Sequence, residues 1–132
     1  MIRDRIALIL VCITLCAFAA HGQSTEKIPG QSKLIEAKIP APSLKGNLLG
    51  DPIEQPISIY LPPGYDPSST RRYPTVYLLH GFTSSNKNWT DDSPYSHNAP
   101  KILDALYKDS RIAPMIIVFP NGRNALSGSF YL

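Results

Sequence analysis

An α/β fold carrying a parallel pair of strands is the class the sequence predicts, and three observations predict it. Residues 75–79 (TVYLL) and 115–119 (MIIVF) are nearly continuous apolar runs in which Val and Ile are frequent. Runs of this length suit strands buried on both faces, as in parallel sheets covered by helices. Between them, residues 98–110 carry a helical pattern. Ile102, Leu103, Leu106 and Tyr107 form one apolar stripe, and Lys101, Asp104 and Lys108 are left to face water. Asn98 is placed to cap this helix and Pro100 fits its first turn. Strand, loop, helix and strand in this order make one βαβ unit.

The elements follow in order. Met1–Arg5 supplies Arg3 and Arg5, and residues 6–20 (IALILVCITLCAFAA) hold Thr14 as their one polar side chain. Ala20 and Gly22 stand at the minus-three and minus-one positions of a cut before Gln23. A basic start, a short apolar run and small residues at the cut are the parts of a secretory signal peptide, so residues 1–22 are expected to direct export and be removed. The run is shorter than a membrane span requires, and no stable membrane anchor is expected after cleavage. The expected destination is secreted or periplasmic. Residues 23–33 read as a loose leader, and residues 34–132 as the folded part.

Cleavage removes both cysteines, Cys12 and Cys16, so the remaining 110 residues have no thiol, disulfide or cysteine metal site. Without Arg3, Arg5 and Asp4, the 13 basic and 10 acidic residues become eleven and nine. That net charge of about +2 is scattered, with Arg71-Arg72 the one basic doublet, and nucleic acid is excluded as a partner. All 13 prolines lie beyond the cut and punctuate apolar runs, as in a globular chain.

Residues 34–39 form a weak strand candidate, and residues 44–56, rich in Gly, Pro, Asn and Asp, a turn region. Residues 57–61 (ISIYL) alternate at first as a half-buried strand would, and Pro62-Pro63-Gly64 ends them. Residues 68–73 are then a polar, exposed connection. Each of the two apolar runs is preceded by a proline, Pro74 or Pro114, which a strand tolerates at its first position. Ligands in open α/β sheets bind at the carboxyl edge of the parallel strands. The loops leaving there begin His80-Gly81-Phe82-Thr83-Ser84-Ser85 and Asn121-Gly122-Arg123-Asn124.

The blocks ISIYLPPGYDPS (57–68), RRYPTVYLLHGF (71–82) and MIIVFPNGRN (115–124) together resemble the α/β-hydrolase superfamily. Within it they are similar to the secreted esterase family that includes esterase D, feruloyl and acetylxylan esterases, and the antigen 85 mycolyltransferases. The resemblance covers roughly residues 55–131. It implies an α/β-hydrolase fold, present as its N-terminal portion, and a serine esterase that hydrolyses carboxylic esters through an acyl-enzyme. It also implies that the backbone N–H of Phe82 is an oxyanion-hole donor after the strand, with His80 a packing and hydrogen-bonding residue rather than the base. Gly81 would allow the tight turn that aims this amide. Taken alone, a His-Gly pair after a strand is an ordinary turn; the surrounding order of blocks gives it this role.

Other residues stand between two readings. Trp89 in the long loop 81–97 is either an apolar wall of the substrate pocket or packing of that loop on the sheet. Arg123 either holds a polar substrate group or satisfies loop carbonyls. Tyr131, in the glycine-bearing segment 128–131, belongs by resemblance to the wall of the acyl or alcohol pocket. His97 has no nucleophile partner in sight and reads as a surface loop residue.

The catalytic triad is missing. No serine has glycine at both minus two and plus two, and no histidine follows His97, whereas the fold places Ser, acid and His in that order. The chain is therefore expected to be a truncated N-terminal part, inactive alone and exposing the edge of its last strand. Acyl transfer to a sugar hydroxyl is the rival activity. A non-catalytic carbohydrate-binding or structural module is the rival class. The expected partner is a small-molecule or polysaccharide-linked ester. With no metal cluster or phosphate-cradling loop, no cofactor is expected.

Overall fold

The computed structural model describes residues 30–128. The expected signal peptide, most of the leader and Tyr131 lie outside the described residues. Four strands form one sheet: β1 (Lys33–Pro40), β2 (Glu54–Leu61), β3 (Thr75–Tyr77) and β4 (Ile116–Pro120), in the spatial order β1-β2-β4-β3. Among the described residues two α-helices accompany the sheet: the single turn α1 (Lys87–Thr90) and the ten-residue α2 (Ala99–Lys108).

β3 and β4 pair in parallel, with Val76 opposite Ile117, and α2 lies between them in the chain. This is the expected βαβ unit. β2 runs antiparallel to β4, with Ile59 opposite Val118, and β1 runs antiparallel to β2 along its full length. The mixed sheet agrees with the N-terminal portion of an α/β-hydrolase fold.

Alternation along the strands decides which layer each side chain joins. Tyr60, Ile117 and Phe119 face α2 and meet Ala99 and Tyr107 in the buried core, with Leu78, Trp89, Leu103 and Met115 packed around them. Each fully buried side chain of this size contributes about 1.5–3 kcal/mol. The Tyr60 and Tyr107 rings stack nearly parallel, 6.2 Å between centroids. Tyr60 also donates its hydroxyl to Asp104 Oδ1 at 2.6 Å. Burial first, and this bond to a carboxylate second, push the Tyr60 phenol well above the ordinary tyrosine range.

Asn98 caps α2 as expected, its side chain accepting from the Lys101 amide at 3.2 Å. The helix is rotated relative to the expected stripe. Ala99, Leu103 and Tyr107, spaced by four, face the core, while Ile102 is 55% exposed. Asp104 is exposed as expected and in addition accepts the Tyr60 hydroxyl.

Three further expectations change. The run 75–79 is not buried on both faces: only residues 75–77 form strand, and Val76, Tyr77 and Leu79 are exposed. The reason is position, because β3 is an edge strand with β4 as its one neighbour. The last strand, β4, does not expose an edge, since it lies between β2 and β3. The turn region gives up residues 54–56 to β2, and a 3₁₀ turn at Pro42–Leu44 leads into it. Among the described residues, no helix is long and apolar enough to cross a membrane.

Candidate functional site

The parallel pairing of β3 and β4 brings the loops that leave them to one edge of the sheet. Because β2 is antiparallel to β4, its first residues lie at that edge too, with Ile57 opposite Pro120. The β1–β2 loop therefore joins the other two there, although the sequence offered no reason to include it.

His80 is the hinge of this edge. It is 4% exposed and uses both ring nitrogens. The Gly122 amide donates to Nε2 at 2.8 Å, and Nδ1 lies 2.8 Å from the Gly81 carbonyl oxygen. A backbone N–H can only donate, so Nε2 is the acceptor and the ring proton sits on Nδ1, donating to Gly81. One imidazole thus ties the loop after β3 to the loop after β4.

The turn that follows spans residues 81–84. Ser84 N–H donates to the Gly81 carbonyl at 3.2 Å, and Thr83 takes a left-handed φ of 63°. A hydrogen-bonded four-residue turn with positive φ at its third position has the type II arrangement. The Gly81 carbonyl therefore accepts from both Ser84 and His80. In a planar trans peptide the N–H points opposite to the C=O. Pinning the Gly81 oxygen inward accordingly turns the Phe82 N–H outward, away from the imidazole. Phe82 itself is about half exposed.

Gly81 does not supply the turn's unusual conformation, contrary to the sequence-based reason for it. Its φ is not positive, the left-handed residue is Thr83, and a Cβ at residue 81 would meet nothing within 4 Å. The missing side chain leaves open space in front of the turn instead. At this edge the glycine with a steric reason is Gly128. It is buried with φ 152°, and a Cβ there would stand 2.7 Å from Thr83 N and 3.4 Å from the Phe82 ring. The loop after β4 thus closes directly onto the 82–83 backbone.

A polar chain, buried at Ser58 and Asn86, holds the 81–90 segment onto the sheet. Ser58 on β2 is fully buried, accepts from Asn86 Nδ2 at 2.7 Å, and donates to Glu36 Oε2 on β1 at 2.8 Å. Lys87 Nζ closes the set 3.1 Å from Glu36 Oε1. These residues carried no motif, and their separations of 22 and 28 positions explain why reading along the chain missed them.

Trp89 lies on α1, packed against the core and against His97, with ring centroids 5.0 Å apart. It supports the loop from beneath and lines neither cavity at this edge. Arg123 is exposed and lines both of them, one of about 350 Å³ beside the β1–β2 loop and one of about 200 Å³ beside residues 83–96. Among the described residues, no group of three His, Cys, Asp or Glu is placed to hold a metal ion.

Comparison with known proteins places this geometry in context. The family model described as "Putative esterase" matches residues 52–130. An endo-1,4-beta-xylanase/feruloyl esterase of Xylanibacter ruminicola is 35% identical over 71 residues, covering 52% of this chain and 9% of that protein. Endo-1,4-beta-xylanase Y of Acetivibrio thermocellus is 32% identical over 77 residues, 57% of this chain and 7% of that protein. Among solved structures, a ferulic acid esterase aligns with TM-score 0.57 at 25% identity, over 70% of this chain and 32% of the other. A variant of the feruloyl esterase module from Clostridium thermocellum, complexed with sinapinate, aligns with TM-score 0.56 at 21% identity, over 80% and 32%. The chain therefore spans under a tenth of these curated relatives and about a third of these solved structures.

Proposed function

Since the chain belongs to the esterase family whose model covers residues 52–130, we propose that it supplies the oxyanion-binding edge of a secreted serine carboxylic-ester hydrolase. Attack on an ester carbonyl leaves negative charge on the former carbonyl oxygen, and preorganised N–H donors lower the energy of that state. The Phe82 amide is one such donor. The observation that carries the reading is His80, which bonds the Gly81 carbonyl and the Gly122 amide at once and so fixes the Gly81–Phe82 peptide plane before substrate arrives. A donor already oriented costs no reorganisation when charge develops. His80 is a positioning residue in this account. With Nδ1–H donating and Nε2 accepting, it is not disposed to take a proton from a nucleophile.

Arg123, between two cavities, binds a polar part of the substrate, and Tyr131 is a substrate-binding residue by the family resemblance alone. Trp89 acts through the loop it underpins. The nucleophile, its acid and its base come from outside these 132 residues, because no serine here stands between the required glycines. The substrate class is an ester on a small molecule or a polysaccharide. The names of the relatives support a hydroxycinnamate-type acyl group attached to xylan. Export through residues 1–22 agrees with a polymeric substrate outside the cell.

The test is turnover. The chain alone is expected to leave 4-nitrophenyl acetate at its buffer rate. The product of the reading frame continued past Leu132 is expected to hydrolyse methyl ferulate. Turnover by the 132 residues alone, or its absence in a folded longer product, overturns the proposal.

A further inference from the structure

The turn that presents the Phe82 amide is held at its start by His80, and its far half is held by a separate route. Thr83 sits in the left-handed region at φ 63°. A β-branched residue is strained there and stays only where its surroundings hold it. Turns of types I and II differ by reversal of the central peptide, here Phe82–Thr83. Relaxation of Thr83 to a negative φ therefore reverses the peptide joined directly to Phe82.

Gly128 is seated against that peptide, so closely that a Cβ on it would stand 2.7 Å from Thr83 N and 3.3 Å from Thr83 Cα. Asn124 places Gly128. Its Oδ1 accepts from the Leu126 and Gly128 amides, each at 3.0 Å, and its carbonyl accepts from the Ser127 amide at 2.9 Å. Ser127 takes φ 71°, so the 124–128 loop is itself strained and depends on these bonds. From outside, Asp51 ties this loop down: its Oδ1 accepts from the Ala125 amide at 2.8 Å, across 74 positions. A carboxylate that accepts a backbone N–H makes a charge-assisted bond, stronger than a neutral one.

Asp51 is fixed in the β1–β2 loop by Asn47, whose Nδ2 donates to its carbonyl at 2.8 Å and whose Oδ1 accepts from its amide at 3.0 Å. The same side chain donates to the Leu44 carbonyl at 2.7 Å and accepts from the Leu49 amide at 3.1 Å. The tie thus starts from a loop organised around one asparagine. We propose that Asp51 is a positioning residue of the oxyanion-binding edge. Through Ala125, Asn124 and Gly128 it keeps the 81–84 turn in its left-handed form. His80 fixes the Gly81 carbonyl, and Asp51 fixes the Phe82–Thr83 peptide. This rests on the esterase reading, in which the orientation of residue 82 matters to the chemistry.

Asp51→Ala removes the acceptor, and Asp51→Asn keeps an oxygen in its place. In the isotope-labelled chain of 132 residues, Asp51→Ala is expected to shift the amides of residues 82, 83 and 125–128. Exchange at Ala125 and Gly128 should accelerate while Gly122 stays protected. Asn124→Ala, which breaks the next link, is expected to give the same shifts at 82 and 83. In the product continued past Leu132, Asp51→Ala is expected to lower kcat for methyl ferulate about tenfold, part of the 10²–10³ that losing a donor costs. KM should change little, and Asp51→Asn should restore most of the rate. Tyr107→Phe, which loses two bonds to Met115 at the opposite end of the sheet, should lose stability and keep kcat. Amides 82 and 83 unmoved in both loop variants, an unchanged kcat in Asp51→Ala, a kcat equally low in Asp51→Asn, or an equal fall in Tyr107→Phe would overturn the role of Asp51. Each leaves the esterase reading intact. No turnover by the unaltered longer product would remove that reading, and this role with it.

Discussion

His80→Phe is the substitution whose cost the structure lets one work out most fully. The ring is buried, and phenylalanine preserves most of its volume, so among the described residues the change removes two hydrogen bonds: Nδ1–H to the Gly81 carbonyl and the Gly122 N–H to Nε2, both 2.8 Å. A net hydrogen bond contributes about 0.5–1.5 kcal/mol, and a buried polar group deprived of its partner costs about 1–3 kcal/mol. The Gly81 carbonyl keeps its bond from Ser84, so the larger share falls on the Gly122 side. The sum is a loss of about 2–4 kcal/mol. Urea unfolding is the assay. With a slope of about 1–3 kcal/mol per molar for a domain of this size, the midpoint is expected to fall by roughly 1–2 M, the slope itself unchanged. Amide exchange at Gly122 should accelerate at least about tenfold in the same variant. A midpoint displaced by less than about 0.3 M, with Gly122 still protected, would show that the imidazole does not join the two loops and would remove the basis for a fixed Gly81–Phe82 peptide.

Other expectations follow from single contacts. Gly128→Ala drives a Cβ to 2.7 Å from Thr83 N and should cost about 1–3 kcal/mol in unfolding; full stability would mean the closure of that loop is not tight. Gly81→Ala meets nothing within 4 Å and should leave stability unchanged or slightly raised, while ester turnover by the longer product falls because the new methyl enters the open space. Ser58→Ala removes the acceptor of Asn86 and the donor to Glu36 and should cost about 1–3 kcal/mol, again read from urea midpoints. The Tyr60 phenol is raised in the folded state, by burial first and by Asp104 second. Its contribution is therefore full below the unfolded value of about 10 and lost as pH climbs toward the folded one. The midpoint should fall between pH 8 and pH 11, and Tyr60→Phe should flatten that fall in part, Tyr107 being raised by its own burial.

Local signals made much of this legible. The alternation of residues 57–61, the continuous run 115–119 and the Asn98 cap each act within a few positions, and each led to the element found there. The exposure of β3 was hidden because an edge strand and a central strand can carry the same apolar run; neighbours decide, and neighbours are set by topology. The link from His80 to Gly122 spans 42 positions and the tie from Asp51 to Ala125 spans 74, so neither leaves a local pattern. The His-Gly pair does stand at a turn, but not for the reason the sequence suggested. Thr83 carries the positive φ, and a threonine gives no warning of it.

The central claim is that the main-chain N–H of residue 82 receives the developing charge, and Phe82→Pro in the longer, catalytically complete product tests it most directly. Proline is favoured at the second position of the turn seen at residues 81–84, so it removes the N–H while keeping the bend, and Phe82→Ala controls for the lost ring. The account predicts a kcat about 10²–10³ lower for the proline variant than for the alanine variant, with KM little changed. Equal kcat in the two variants would contradict it.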